Sequence, residues 1–558
     1  MFFTSLNLLT LSLSQLKIFK MKIKLLTLIM LVPTLAFNQA TFSQNFKVTS
    51  SKPFQVVDAA IKEYTSVGNG KSISVKTDGE KVIIQLFNSV AMKEEGRKEY
   101  VDFPKYNKAQ KLLRVNDKLF YISEAFNKKE RTFSVYSREI DISTGTFKPI
   151  QKLFTTSREV VPIRKKIMSG NIFNMEQVPK FDVISSFDQS KVLIQYRCEP
   201  KEKSDAKNYD EIGFYVFNNS MNKLWGKEVK MPHTEKEMGN LAYTINKDGN
   251  VFMLSFLYTD KSFELIAISE KNDLKTKVLP VKKGLSFDKF DLRETPQGTI
   301  LAAGYYSNGI EAKVDWTGTM SLTRNVNGIY IFETDVDGAL KKDTDYPFSI
   351  ELIKKYLSDR LKDKADKKEA DGKAGINDLV LRKFVLNPDG SIIIVGEVFY
   401  VKPELWFTSK EMVAHFSDMV VTKIDPSGKI VWSEKMPKNQ ACLFANASDF
   451  SSLGISFIQG KSSHYILFID NRKNANLMLD QPAEPHKGGF GGYLTAYQID
   501  DASGKVIKHT ILDLTNINGV KAFQFDTDRI FEVQDKSFLL EIYIKDKLDM
   551  MIKMDLIK

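Results

Sequence analysis

The chain has 558 residues, 43% hydrophobic and 27% charged, with 80 Lys and Arg against 69 Asp and Glu. These proportions match globular proteins and exclude a disordered, collagen-like or multi-span membrane protein, while the length allows three or four domains or one large repeat fold. The formal charge of +11 includes four lysines and no acid in the first 43 residues; the remaining 76 basic and 69 acidic residues leave +7, too mild over this length to indicate nucleic acid.

Residues 21–44 open with Met-Lys-Ile-Lys, run uncharged from Leu25 to Val32, and pass through Pro33 and small residues to Gln44. That order is the signature of a secretory signal peptide. Its apolar run of 8 residues is far short of the ~20 that span a bilayer. Residues 1–43 are therefore expected to be a signal region with Met21 as the start, cut after Ala36 or Ser43, and the mature protein to be periplasmic or extracellular without a transmembrane segment. The alternative is an uncleaved anchor from Phe2 to Val32, against which Lys17, Lys20, Lys22 and Lys24 argue. Cys198 and Cys442 are the only later cysteines; they read as two separate buried thiols, and neither is placed to carry a lipid.

Beyond residue 45 the chain alternates short runs of Val, Ile, Phe and Tyr with turn residues, and helical periodicity is scarce. One unit recurs: a Gly, Asp or Asn turn, an apolar strand, a connection, a second apolar strand and another turn. Its clearest copies start at Asn246, Asn387 and Val420, with weaker ones near Leu119, Val192, Ile300, Ile466 and Phe538. Repeats spaced about 40 to 90 residues apart indicate a β-propeller or a β-solenoid, because one unit cannot bury its own apolar faces, and four strands in each of roughly seven units point to the propeller. An all-β propeller of about seven four-stranded blades, within a range of six to eight, is expected. The blades are read at 110–154, 181–231, 241–281, 287–345, 380–436, 450–515 and 525–558. The last lacks a fourth strand, and the N-terminal segment 44–109 is expected to supply it from Ser72 to Phe87.

In a meander of strands A to D, the A-B and C-D turns lie on one face of the disc and the other connections on the opposite face. The first set is tight: Thr144-Gly145, Asp248-Gly249, Gln297-Gly298, Asp337-Gly338, Asp389-Gly390, Ser427-Gly428 and Ser503-Gly504. The second set holds the long segments, among them 306–328, 346–379, 400–418 and 470–493, so binding is expected on that loop-rich face. Trp316, Trp406 and Phe407 fall in B-C connections of neighbouring blades and are the candidate partner-binding residues, able to stack on a sugar or anchor a protein; each tryptophan can equally pack its own loop onto the disc. Trp225 and Trp432 sit beside C-D turns and read as core.

Within the insertion 346–379, the stretch Glu351 to Lys373 is the clear helix candidate, apolar at first and then almost wholly charged. It reads as a solvated, mobile arm; eight cations against five acids over 354–373 make a poor anionic-surface binder. The glycine-rich run Pro485 to Gly492 precedes a strand instead of a helix N-terminus and reads as a surface loop. The acids Glu333, Asp335 and Asp337 lead into a turn without the glutamate a calcium loop needs. The five histidines lack metal-ligand spacing, and no Gly-x-Ser-x-Gly elbow occurs. No catalytic residue, cofactor or metal site is assigned.

Ile424-Asp425-Pro426-Ser427-Gly428-Lys429-Ile430-Val431-Trp432 resembles the blade motif of quinone-cofactor propellers, in which the tryptophan docks between blades. Pro149, Lys342 and Lys508 stand where further tryptophans belong, so the likeness covers one blade. From the lysine-rich insertion through Asn387-Pro388-Asp389-Gly390, Gly396-Glu397, Trp432 to Gln440, and Phe468 to Asn474, the chain resembles a group of exported bacterial propeller-like proteins with no established activity. This implies fold and export and transfers no site residue. The expected function is non-enzymatic binding or scaffolding of a protein or glycan in the cell envelope; the alternative is a glycan-active enzyme with its site at the centre of the loop-rich face.

Overall fold

Strands that are apolar on both faces need a sheet packed on either side. In the computed structural model they form eight sheets, antiparallel but for one short parallel pair of Gln440–Leu443 with His486–Lys487, stacked around a closed ring. The structure describes residues 42–162, 179–272, 274–281, 285–314, 320–406 and 409–557; the expected signal region up to residue 41 lies outside them. Blades one to seven occupy 61–100, 107–155, 160–234, 238–279, 286–347, 379–436 and 456–513. Blade eight combines Ile530–Gln534, Ser537–Ile544 and Leu548–Leu556 with Phe46–Ser50 from the other end of the chain.

Eight blades fall within the expected range. The closing strand is elsewhere than expected: Phe46–Ser50 pairs with the last strand, Phe46 opposite Leu556 and Ser50 opposite Ile552. The stretch 72–87 instead supplies the two middle strands of blade one, where Ile73, Val75, Val82 and Ile84 are buried on one face and Ile83 and Phe87 on the other. The ring thus begins ahead of the expected boundary at 110. Blade one's outer strand, Lys93–Tyr100, reads KEEGRKEY and has no apolar alternation; it is held by main-chain pairing and by exposed ion pairs such as Lys81 to Glu99 at 2.8 Å.

The seven glycine turns lie between A and B or C and D strands as expected, each glycine at φ between +65° and +88°. An L-residue resists this region because of its Cβ. At Gly504 a Cβ would also stand 2.6 Å from Cγ of Trp432. Trp432 is buried against blade seven and donates Nε1 to the Asp501 carbonyl at 2.9 Å; Trp225 likewise donates to the Gly249 carbonyl of blade four at 3.1 Å. Both tryptophans are inter-blade core. Cys198 and Cys442 are free and buried.

Apolar layers fill the seams between consecutive blades, as where Leu193, Phe214 and Val216 meet Val251, Met253 and Ile266. The seam of blade eight with blade one is different. Beside Phe87, Leu539 and Met551 it buries Lys76, whose Nζ lies 2.8 Å from Glu541 Oε2 and 3.3 Å from Asp549 Oδ2. Tyr64 donates its hydroxyl to Glu541 Oε1 at 2.6 Å.

The insertion after blade five forms helices Ile350–Lys354 and Asp359–Ala370, but it is no free arm. Ile353, Ala365, Ala374 and Ile376 are buried with Leu301 and Ile329 of the blade, and Lys435 Nζ donates to the Lys355 carbonyl at 2.7 Å. The apolar residues at its start and end outweigh the charge between them.

Candidate functional site

On the face opposite the glycine turns, the long B-C connections of blades five and six are largely paired strands. Ile300–Val314 runs against Met320–Thr334, and Ile392–Trp406 against Ser409–Ile424. In blade six the inner strand pairs only as far as Val398 and the outer strand only to Met419. Beyond the blade, Val413–Phe416 of the second long strand pairs instead with Gln440–Leu443, so the extension of Phe399–Trp406 and its partner is three-stranded at its base and only the tip, Pro403–Trp406 against Ser409–Met412, is a two-stranded ribbon, roughly 13 Å long at about 3.3 Å per residue.

Alternation gives this ribbon two characters. One side carries Phe399, Val401, Pro403 and Leu405 beside Phe416, Ala414 and Met412. At the base this side is covered: Phe399, Ala414 and Phe416 pack with Cys442 and Leu453. Farther out the cover ends, leaving Leu405 75% and Met412 49% exposed. The other side is polar. His415 stacks on Tyr400, ring centres 4.6 Å apart, and its Nε2 lies 3.2 Å from Glu404 Oε2. Lys402 Nζ meets Glu404 Oε1 at 2.7 Å. Burial holds the His415 imidazole below its usual pKa against the opposing pull of Glu404.

The ribbon stands on an ionic base. Glu397, one residue before the last that pairs with the inner strand, is fully buried, with Lys438 Nζ 2.8 Å from Oε1 and Arg382 Nη2 2.5 Å from Oε2. Lys438 also donates to Gln440 Oε1 at 2.7 Å and the Phe416 carbonyl at 3.1 Å, and Gln440 passes the network to the Ile469 carbonyl at 2.7 Å. Burial alone would raise the Glu397 pKa; the Lys438 and Arg382 charges more than offset it and hold the carboxyl below its usual range. Arg382 is the extra residue at a β-bulge between Leu381 and Lys383. A bulge re-aims its side chain, and Arg382 lies over the Phe399 ring at 5.3 Å while remaining 32% exposed. It carries the buried charge network to the surface.

Of the residues expected to bind a partner, Trp406 ends the first ribbon strand, whereas Trp316 and Phe407 lie outside the described residues. The paired extensions of blades five and six rise from neighbouring blades on one face. Arg382, Glu397 and Lys438 were not anticipated from sequence. The available signal was one acid inside the apolar run Ile392 to Val398, because an isolated charge in a buried strand requires a partner. Among the described residues no three His, Cys, Asp or Glu side chains are grouped to hold a metal ion. No described helix is long and apolar enough to cross a membrane.

No protein-family model and no curated protein matches the chain. Solved structures with similar folds share little sequence. An uncharacterized protein of Listeria monocytogenes EGD-e is 8% identical, with 72% of this chain and 85% of that one covered and a TM-score of 0.34. The β-propeller domain of the Trilobed protease of Pyrococcus furiosus, described as having an open velcro topology, is 12% identical over 69% and 96%, at 0.29. The WD40 domain of SCAP from fission yeast is 6% identical over 94% and 97%, at 0.34. At these scores the likenesses bear on no residue's role.

Proposed function

We propose that the protein is an exported, non-enzymatic binding or scaffold protein that engages a partner in the cell envelope through the ribbon-bearing face. One observation carries this reading: the apolar side of the blade-six ribbon continues beyond its cover to Leu405 and Met412. A solvated ribbon needs no apolar side past its base, whereas a docking ribbon gains contact area there. The sequence goes on as Leu405-Trp406-Phe407, adding aromatic residues of the kind that dominate interface energetics. Aliphatic Leu405 and Met412 favour a protein over a glycan. The base of Glu397, Lys438 and Arg382 limits the entropy lost when the ribbon docks.

The test compares capture of envelope proteins by the wild type and by Leu405→Asp/Met412→Asp, with thermal melting of both. The expected result is a discrete partner retained by the wild type and reduced at least about tenfold by the variant at an unchanged melting temperature. Equal capture by both proteins contradicts the ribbon as the binding element. Export is tested separately by intact mass: a mature N-terminus between Phe37 and Asn45 is expected, and a mature form that retains Met21 to Ala36 contradicts it.

A further inference from the structure

Two seams of the ring are filled by an indole. Trp225 stands four residues after Met221 and Trp432 four after Gly428, each packed against the blade that follows. The matching residue of blade five, four after Gly338, is Lys342. It takes the same path: a Cβ on Gly428 of blade six would meet Lys342 Nζ, as a Cβ on Gly504 of blade seven would meet Trp432. The seam of blades five and six thus receives a narrow chain where its counterparts receive a ring.

This seam holds a cavity of about 380 Å³. Ile329, Tyr346 and Phe348 wall it from blade five and its exit, Ile430 from blade six, and Leu352 from the helix Ile350–Lys354. Tyr346 ties the cavity to the blade-six turn by donating its hydroxyl to the Gly428 carbonyl at 2.7 Å. Small-molecule sites span roughly 300–1,000 Å³, with a largely apolar and aromatic wall and few polar groups. The charged residues of the lining are Glu351 and Lys355, whose charges cancel, so the cavity suits a neutral ligand.

A second observation comes from the hydroxyls in the wall. Thr422 and Ser433 line the cavity and bond to each other at 2.8 Å, and their side chains have no other hydrogen-bond partner among the described residues. Two hydroxyls bring two protons, and their mutual bond uses one. The second proton has no acceptor, although Thr422 is only 1% exposed. A buried donor of this kind calls for an acceptor from outside the chain.

We propose that this cavity binds a small, neutral, planar aromatic molecule that carries a hydrogen-bond acceptor. Its rings lie against Tyr346 and Phe348, filling this seam as Trp225 and Trp432 fill theirs, and its acceptor takes the spare proton of the Thr422–Ser433 pair. The walls belong to blade five, blade six and the insertion, so the ligand joins all three. None of the ribbon's residues takes part, and the site stands apart from the docking proposed above.

Calorimetric titration of the purified protein with coumarin and with indole tests the assignment. Both are neutral and bicyclic, but coumarin brings a carbonyl acceptor and indole none. Coumarin is expected to bind the wild type at least about fivefold more tightly than indole, the value of one hydrogen bond. Thr422→Val/Ser433→Ala, which removes both hydroxyls, is expected to weaken coumarin by about the same factor and leave indole unchanged. Ser433→Ala alone is expected to change little, since the Thr422 hydroxyl is then free to donate. Leu352→Trp, on the helix and outside the blades, fills the cavity from its wall; it is expected to abolish binding of both compounds at an unlowered melting temperature, and it keeps the test decisive should the hydroxyl-free variant fail to fold. No coumarin binding up to about 5 mM, affinity undiminished in Leu352→Trp, or a folded hydroxyl-free variant that binds coumarin as the wild type does overturns the proposal.

Discussion

Glu541 at the closing seam and Glu397 at the ribbon base lie near the middle of the second strand of their blades, and each meets a buried lysine at 2.8 Å. Their third partners differ. At the seam this is Asp549, as fully buried as the pair, so the cluster is sealed. At the ribbon it is Arg382, 32% exposed, so the cluster opens onto the loop-rich face. Glu124 of blade two supplies the contrast. It is buried in a corresponding second strand, with Oε2 lacking a hydrogen-bond partner, and burial pushes its pKa up to about 7. The same chemical element closes a ring when sealed, supports a surface when vented, and weakens its blade when left uncompensated.

The largest expected effect comes from breaking the sealed cluster. Lys76→Met removes the cation that contacts Glu541 and Asp549, leaving only the charge of Lys62 nearby to oppose theirs, and the loss should be about 3–5 kcal/mol, the usual result of removing one partner of a buried pair. Denaturant unfolding measures it. Replacing the trio together, Lys76→Met with Glu541→Leu and Asp549→Leu, should recover most of the loss; equal instability of the single and triple variants would assign the seam's strength to packing.

Glu124→Gln sharpens the contrast in the opposite direction. The folded carboxyl keeps its proton up to about pH 7, while the unfolded chain releases it near 4.5, so Glu124 lowers stability as pH rises between those values. The variant should gain about 3 kcal/mol at pH 8 and little below pH 4.5. Glu397 has the opposite sign: its depressed pKa contributes stability above its usual range that is lost as pH falls through the folded value. Glu397→Gln and Glu124→Gln should therefore both depart from the wild type at neutral and high pH, in opposite directions, the first less stable and the second more stable, and both should converge on it at low pH.

A smaller effect is expected at the vented cluster. Arg382→Ala leaves Glu397 paired with Lys438, so the stability loss should be about 1 kcal/mol. If it matches Lys76→Met, the distinction between sealed and vented clusters fails.

The glycine turns and the alternating strands between them were legible in sequence because each rests on local chemistry, positive φ at glycine and two-residue periodicity. Blade one was missed because its outer strand KEEGRKEY is charged throughout, and the closing strand because Phe46–Ser50 is short and pairs across the whole chain. The ribbons read as loops because Tyr306 to Gly328 and Tyr400 to Asp418 mix polar residues into their alternation. The buried clusters were illegible for another reason: Lys76 and Glu541 are 465 positions apart, and no local pattern connects them. What each strand did display was a lone acid in an apolar run, as in SFLLEIYI, which asks for a partner without naming it.

The binding role of the ribbon face is tested most directly by Leu405→Asp, whose side chain lies beyond the ribbon's cover. Its thermal midpoint and its affinity for the captured partner are measured on the same preparation. An unchanged midpoint with at least about tenfold weaker binding, equivalent to about 1.4 kcal/mol, is predicted. Unchanged affinity, or a lower midpoint that accounts for the lost binding, would contradict it.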